Sequence, residues 1–194
     1  MASLSGYLTF SIPDKGTFKG KCAPNMLFFA KGTTEPGELG ITVGPVLNSA
    51  LTGKDWRVIG VPYQADLFSD LCLGLPGGMM ARDMLDQAAE KCPNSKLYMS
   101  GYSQGALVSH NAVGYAKQET KKRVAAVIVF GDPMQGAPIK GYNGPIITYC
   151  LEGDYVCTGN FVIGAAHLSY TGAPSTKAIA EIKKIAVGKK YTLK

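Results

Sequence analysis

Short apolar runs alternate along the chain with longer stretches in which apolar residues recur at helical spacing. The short runs are too brief for helices and are apolar throughout, which is typical of strands buried on both faces. They predict five strands: MLFFA (26–30), RVIGV (57–61), KLYMS (96–100), AAVIVF (125–130) and IITYC (146–150). The longer stretches predict helices over 41–51, 77–92, 104–117 and 175–187.

This alternation predicts an α/β fold, in which helices cover both faces of a five-stranded parallel sheet as a three-layer sandwich. In the common strand order 2-1-3-4-5, ligands bind where the carboxyl ends of the first and third strands lie side by side. The loop KGTTEPGELG (31–40) and the turn GYSQG (101–105) follow those two strands. With no repeat or linker in the chain, we predict one domain over residues 1–194.

Composition narrows the class of protein. Hydrophobic residues make up 46% and charged residues 18% of the 194 residues, which is typical of a folded globular protein. The net charge of +6 comes from scattered lysines without interleaved aromatic residues, so we predict no nucleic-acid binding. No apolar run is long enough for stable membrane insertion. The start, MASLSGYLTFSIP, lacks a basic segment followed by an apolar stretch, so we expect no signal peptide.

The five cysteines bear on the cellular compartment. Cys150 and Cys157 bracket a short loop, while Cys22 and Cys92 each precede a predicted strand and would meet if those strands were neighbours. No CxxC pair or histidine cluster predicts a metal site. This usage favours the mature form of a secreted protein with two disulfides over a cytosolic protein. Cys72 is then a free thiol in an apolar setting.

The turn GYSQG (101–105) matches the G-x-S-x-G pattern of a nucleophile elbow. In an elbow the serine sits on a strained strand-to-helix turn, and small neighbours let the strand and the helix pass close together. The alternative is an ordinary tight connection in which Ser103 caps the following helix. If Ser103 is a nucleophile, the chain must therefore supply a base and an acid elsewhere.

A serine hydroxyl becomes a nucleophile when a base takes its proton and an acid orients that base. The chain has two histidines. His110 lies on the helix that follows Ser103, about 10 Å further along its axis, and we interpret it as a packing or surface residue. His167 follows the last predicted strand, at the end of the sheet where the serine turn lies, and is the candidate base.

Two aspartates compete to orient that base. Asp132 follows the fourth predicted strand and Asp154 the fifth, and the chain order of α/β-hydrolases favours Asp154. Asp132 is then a turn or cap residue before Pro133. For the oxyanion we predict the backbone N–H groups of Gln104 and Thr33 as donors, with the Thr33 hydroxyl as a possible third.

Three separated segments together resemble the fungal cutinase family of secreted serine esterases: AKGTTEPGELG (30–40), CPNSKLYMSGYSQG (92–105) and CLEGDYVCTGNFVIGAAH (150–167). The resemblance covers the chain from Cys22 to the C-terminal helix. It implies a Ser103–His167–Asp154 triad and an oxyanion hole at Thr33 and Gln104. It also implies two disulfides, Cys22–Cys92 and Cys150–Cys157.

Two apolar loops predicted beside Ser103 indicate the kind of ester. Segment 67–76 contributes Leu71, Leu73 and Leu75, and segment 160–167 contributes Phe161, Val162 and Ile163. Such residues suit acyl chains better than sugars, so we predict a monomeric, cofactor-free enzyme that hydrolyses cutin-like polyesters and short- to medium-chain acyl esters. No long insertion predicts a lid, so we expect Ser103 to be open to solvent. The alternatives are an acetylxylan esterase, a catalytically silent binding or elicitor protein on the same scaffold, and a flavodoxin-like cofactor-binding protein, although no phosphate-binding glycine loop follows the first strand.

Overall fold

A computed structural model of the chain describes residues 15–188, in which a parallel sheet carries helices on both faces. Its strands are β1 (Asn25–Ala30), β2 (Trp56–Gly60), β3 (Lys96–Tyr102), β4 (Val124–Phe130) and β5 (Ile146–Tyr149). They are ordered β2-β1-β3-β4-β5, and every neighbouring pair is parallel. The predicted fold class and strand order are confirmed. The N-terminal segment on which the signal-peptide expectation rests lies outside the described residues.

The helices that connect these strands include the four predicted ones. Their bounds are α1 (Val43–Leu51), α2 (Leu67–Leu71), α3 (Leu75–Lys91), α4 (Gln104–Tyr115), α5 (Gln118–Arg123) and α6 (Ala173–Ala186), and a 3₁₀ turn covers Tyr155–Thr158. The prediction of a loop over 67–76 was wrong, because α2 and the start of α3 occupy it. The Asp66 side chain caps α2 by accepting a 2.8 Å hydrogen bond from the Ser69 N–H.

Side chains of the strands alternate between two cores, one on each face of the sheet. Met26 and Phe28 of β1 pack with residues of α3 and α4, whereas Leu27 and Phe29 pack with residues of α1 and α6. All of β1 is buried, which explains its uninterrupted apolar run. As a result α4 lies directly against the sheet, and its first residue follows the carboxyl end of β3.

Two disulfides join distant and local parts of the chain. Cys22 is bonded to Cys92 at the end of α3, and Cys150 is bonded to Cys157 across the loop after β5. Both predicted pairings are confirmed, and Cys72 is the free cysteine, although it is partly exposed to solvent. Among residues 15–188, no helix has both the length and the hydropathy that a membrane span requires.

Candidate active site

Ser103 stands alone between the end of β3 and the start of α4, in a strained conformation. Its φ of 57° and ψ of −119° lie where a residue with a Cβ is unfavourable. The backbone holds it there, because the Ser103 N–H donates to the Phe130 carbonyl at 2.9 Å and the Ser103 carbonyl accepts from the Ala106 N–H at 2.8 Å. Ser103 occupies the N-cap position of α4, but its side chain makes no capping hydrogen bond to the helix, so the alternative of a side-chain cap is wrong.

The two glycines of GYSQG are required by the close approach of three backbone segments. A Cβ on Gly101 would collide with the Gly105 carbonyl group, and a Cβ on Gly105 would collide with the Ala30 carbonyl group. Glycine at both positions therefore lets α4 start directly against β3 and β1. This arrangement has the tight strand–turn–helix geometry that the motif predicts.

Three predicted residues from separate loops meet in one chain of hydrogen bonds. The Ser103 Oγ lies 2.9 Å from the His167 Nε2, and the His167 Nδ1 lies 2.9 Å from Oδ2 and 3.0 Å from Oδ1 of Asp154. Because the carboxylate accepts a hydrogen bond from the Nδ1–H, the proton of the neutral ring stays on Nδ1 and the Nε2 lone pair can accept a hydrogen bond from the serine hydroxyl. Asp154 and His167 expose 4% and 2% of their surface, so bulk water does not weaken these bonds.

Further groups contact the Asp154 carboxylate besides His167. The Val156 N–H donates to Oδ1 at 3.0 Å, and the Tyr170 hydroxyl donates to Oδ2 at 2.6 Å. The Sγ of Cys157 lies 3.6 Å from the same Oδ2. The Val156 N–H and the Tyr170 hydroxyl therefore hold the carboxylate in place, whereas the disulfide sulfur has no proton to donate.

Two tyrosines that the sequence did not identify complete the surroundings of His167. The Tyr102 hydroxyl donates to the His167 carbonyl at 2.8 Å, and its ring stacks on the imidazole with centroids 5.2 Å apart. The Tyr170 ring meets the imidazole edge-on at 6.3 Å. Burial raises the pKa of both hydroxyls above their ordinary range, so both act as neutral donors. The one feature of the sequence that pointed to these tyrosines was their position, since Tyr102 directly precedes Ser103 and Tyr170 follows His167 by three residues.

His110 and Asp132 form a second buried pair. The His110 Nε2 lies 3.0 Å from the Asp132 Oδ2, and the two side chains are 5% and 0% exposed. Asp132 also accepts from the N–H groups of Met134 and Gly136, at 2.9 Å and 2.7 Å. Burial alone would raise the pKa of Asp132, but these hydrogen bonds outweigh burial and place it below its ordinary value. Asp132 is therefore a turn residue, as expected, and also the partner of His110, which was not foreseen.

The loop after β1 brings Thr33 to the same site. Glu35 orders this loop, since its carboxylate accepts from the N–H of Gly32 at 2.6 Å and from the N–H of Thr42 at 2.9 Å. Gln104 is the first residue of α4, where backbone N–H groups lack partners within the helix. Thr33 and Gln104 are in direct contact, because the Gln104 Nε2 donates to the Thr33 hydroxyl at 3.3 Å.

The Thr33 hydroxyl proton has another acceptor in the resting protein. It donates to the carboxylate of Asp70 on α2, at 2.9 Å to Oδ2 and 3.1 Å to Oδ1. A hydroxyl has one proton to give. The expected third oxyanion donor is therefore occupied, and the two backbone N–H groups remain as candidates.

A cleft of about 400 Å³ adjoins this site. Thr33, Ser103 and His167 line it together with an apolar wall that consists of Ile41, Leu67, Ile163 and Leu168. Ser103 itself is only 9% exposed, so it is less open to solvent than expected. Of the predicted substrate-binding residues, Ile163 lines the cleft, whereas the others are exposed side chains outside its lining: Leu71, Leu73, Leu75, Phe161 and Val162.

Comparisons with known proteins identify the family of the chain. The cutinase family model matches residues 21–185. A cutinase of Botryotinia fuckeliana is 39% identical over 171 residues, which cover 85% of this chain and 84% of the relative. Cutinase cut1 of Trichoderma harzianum is 36% identical over 162 residues, which cover 81% of this chain but 65% of the relative, so the chain spans about two thirds of that protein. The solved structure of Trichoderma reesei cutinase in complex with a phosphonate inhibitor matches with a TM-score of 0.78 and 33% identity, covering 85% of this chain and 77% of that one. With the family model matched over residues 21–185 and relatives 36–39% identical to it, the chain belongs to the cutinase family.

Proposed function

We propose that this chain is a serine esterase that works through an acyl-enzyme intermediate. The observation that carries the proposal is the hydrogen-bond chain from the Ser103 Oγ to the His167 Nε2 and from the His167 Nδ1 to Asp154, each step 2.9 Å long. A buried imidazole placed between a hydroxyl and a carboxylate is the arrangement that activates a serine. An apolar cleft beside the hydroxyl offers a place for an acyl chain.

In the proposed reaction, the Ser103 Oγ attacks the ester carbonyl carbon while His167 takes its proton. Asp154 stabilises the resulting imidazolium, and the N–H groups of Thr33 and Gln104 donate to the oxyanion. His167 then returns the proton to the leaving alcohol as the C–O bond breaks. Water attacks the acyl-enzyme by the same route, releasing the carboxylic acid and restoring Ser103.

The cleft supports an acyl rather than a sugar specificity. Its wall carries branched aliphatic side chains from three segments, namely Ile41, Leu67 and Ile163. The Tyr102 ring, which also lines the cleft, is stacked on His167. We therefore propose short- to medium-chain acyl esters and cutin-like polyesters as substrates, with acetylated xylan as the second candidate.

We further propose that the protein acts outside the cell, as a monomer on insoluble polyester. Its two disulfides support this location, because disulfides persist in oxidising compartments. Large apolar side chains exposed near the cleft, such as Leu71 at 82% and Phe161 at 58%, support contact with an apolar solid.

A substrate panel tests the proposal directly. Purified wild-type protein, Ser103→Ala and the control Ser109→Ala are assayed on p-nitrophenyl butyrate, acetylated xylan and a polyester film. Ser109 is a buried serine of α4 that bonds only to the Gly105 carbonyl, so its removal controls for loss of a buried hydroxyl. We expect wild type and Ser109→Ala to hydrolyse the butyrate and to react with a fluorophosphonate, and Ser103→Ala to do neither.

Each other outcome selects an alternative. Release of acetate from xylan without cleavage of longer acyl esters would identify an acetylxylan esterase. A folded wild-type protein that is neither active nor labelled by the fluorophosphonate would identify a silent binding or elicitor protein and refute the proposal.

A further inference from the structure

We propose that Tyr170 is a positioning residue that sets the basicity of His167 through Asp154, an inference that rests on the proposed esterase function. The Tyr170 hydroxyl is buried, with 1% of the residue exposed, and donates a 2.6 Å hydrogen bond to the Asp154 Oδ2. It also accepts a 3.0 Å bond from the Leu151 N–H. Because the Leu151 N–H occupies an acceptor site of the hydroxyl, the hydroxyl proton is directed at the carboxylate.

Tyr170 competes with His167 for the charge of a single carboxylate. Oδ2 of Asp154 lies 2.6 Å from the tyrosine oxygen and 2.9 Å from the His167 Nδ1. A short hydrogen bond to an ionised group is stronger than a bond between neutral groups, and it draws negative charge toward its donor. Part of the negative charge of Asp154 is therefore drawn toward the Tyr170 hydroxyl and does not stabilise the imidazolium of His167.

The direction of the effect follows from this competition. Without the hydroxyl, the full carboxylate charge faces His167, and a stronger nearby negative charge raises the pKa of an imidazole. The reaction needs neutral His167 as its base, so the acid limb of the profile of kcat/KM against pH then moves to higher pH. Tyr170 keeps His167 neutral, and so able to accept the serine proton, at lower pH.

The surroundings of Tyr170 allow the effect of its hydroxyl to be separated from the packing of its ring. The Tyr170 ring contacts the rings of Tyr102 at 5.9 Å and Phe130 at 6.1 Å, contacts that phenylalanine retains. Besides Asp154 and His167, the titratable groups facing the pair are the hydroxyl of Tyr102 and, acting on Tyr102, the carboxylate of Glu35. Tyr170→Phe leaves all of them in place. Tyr170 does not line the cleft, so its hydroxyl affects kcat and the pH profile rather than KM.

The test measures kcat and KM on p-nitrophenyl butyrate from pH 5 to pH 9 for wild type, Tyr170→Phe and the control Tyr98→Phe. Tyr98 is fully buried, and its hydroxyl bonds to Asn25 at 3.3 Å, at the start of β1, far from the site. We expect the acid limb of Tyr170→Phe to shift upward by about 0.5–1 pH unit, as loss of a hydrogen bond to a charged group allows. The KM of Tyr170→Phe and the whole profile of Tyr98→Phe should match wild type.

Two further measurements keep the inference open to refutation. Titration of the His167 imidazole by NMR in wild type and Tyr170→Phe reports the same shift without any substrate, so failure of the esterase proposal would not hide it. Site-specific 3-fluorotyrosine at position 170 keeps the hydroxyl and makes it a stronger donor, so the acid limb should move downward, even if Tyr170→Phe does not fold. An unchanged acid limb in both variants, or a downward shift in Tyr170→Phe, would overturn the inference.

Discussion

Substitutions of Asp154 and Asp132 form a matched test and control for deciding which aspartate supports the proposed catalysis. Both side chains are fully buried, and each lies about one hydrogen bond from a histidine: Asp154 at 2.9 Å from His167 and Asp132 at 3.0 Å from His110. Each carboxylate also accepts hydrogen bonds from backbone N–H groups. Replacing either one by asparagine removes one negative charge from a similar environment, so a difference in activity reports function rather than burial.

The structure gives different expected magnitudes for the two substitutions. In Asp154→Asn, an amide group that faces the His167 Nδ1 with its NH₂ makes this nitrogen the acceptor and places the ring proton on Nε2, facing Ser103. A base in the wrong tautomer costs on the order of 10³–10⁴ in kcat, or about 4–5.5 kcal/mol of transition-state stabilisation. Asp132→Asn changes the tautomer of His110, which has no part in the proposed reaction, so we expect kcat to stay close to wild type. Either substitution should reduce the free energy of unfolding by about 1.5–3 kcal/mol, the range for a hydrogen bond to a charged group.

The assay combines initial rates with a check of folding. Rates on p-nitrophenyl butyrate at pH 8 are normalised by protein concentration, and urea unfolding confirms that each variant is folded under assay conditions. We expect a severe loss in Asp154→Asn and a near-normal rate in Asp132→Asn. If Asp132→Asn were the inactive variant, or if Asp154→Asn kept more than about a tenth of wild-type activity, the assignment of the acid would be wrong.

Three other features lead to separate predictions. Replacing Cys22 and Cys92 by alanine opens a bridge between residues 70 apart and should lower the free energy of unfolding in urea by about 2–4 kcal/mol, with kcat preserved; an unchanged urea midpoint would contradict this. Leu71→Asp should slow hydrolysis of a polyester film while leaving hydrolysis of p-nitrophenyl butyrate unchanged, because Leu71 is exposed outside the cleft. Ile163→Asp, inside the cleft, should slow both reactions. If Leu71→Asp slowed both reactions equally, Leu71 would not be a contact for the film. Because the folded-state pKa of Asp132 lies below its ordinary value of about 3.9, its contribution to stability is present above that pH and lost as the pH falls through the folded-state pKa. Unfolding free energies measured from pH 2 to pH 6 should therefore depend less on pH in Asp132→Asn than in wild type, and parallel curves would refute the reasoning.

The parts of the fold that were predictable from sequence are those with a local signal. β1 is buried on both faces, so its residues from Met26 to Ala30 are apolar without interruption, and the serine turn needs glycine at positions 101 and 105 for steric reasons. Such requirements leave patterns in neighbouring positions. The short helix α2 has no such sequence pattern, because its apolar residues Leu67 and Leu71 are exposed rather than packed on one buried face.

The missed parts of the candidate site depend on contacts between distant segments. Asp70 meets Thr33 across 37 positions of sequence, and Tyr170 meets Asp154 across 16. No spacing rule links a tyrosine or an aspartate to a partner in another loop. Only the folded backbone brings these side chains together, so the sequence allowed prediction of Ser103, His167 and Asp154 as candidates, but not of Asp70 and Tyr170 as hydrogen-bond partners of the site.

The Cys150–Cys157 bridge lies against the candidate triad rather than between strands of the sheet. Its Cys157 sulfur lies 3.6 Å from Asp154 and 3.8 Å from the Tyr170 hydroxyl, and the two cysteines are seven positions apart. The pairings of β1 with β3 and of β3 with β4 lie outside this link. We therefore expect a reductant that opens the bridge to disturb the placement of Asp154 before it disturbs the sheet. Under the proposed function, formation of this bridge in an oxidising compartment would then be the step that fixes the acid of the triad.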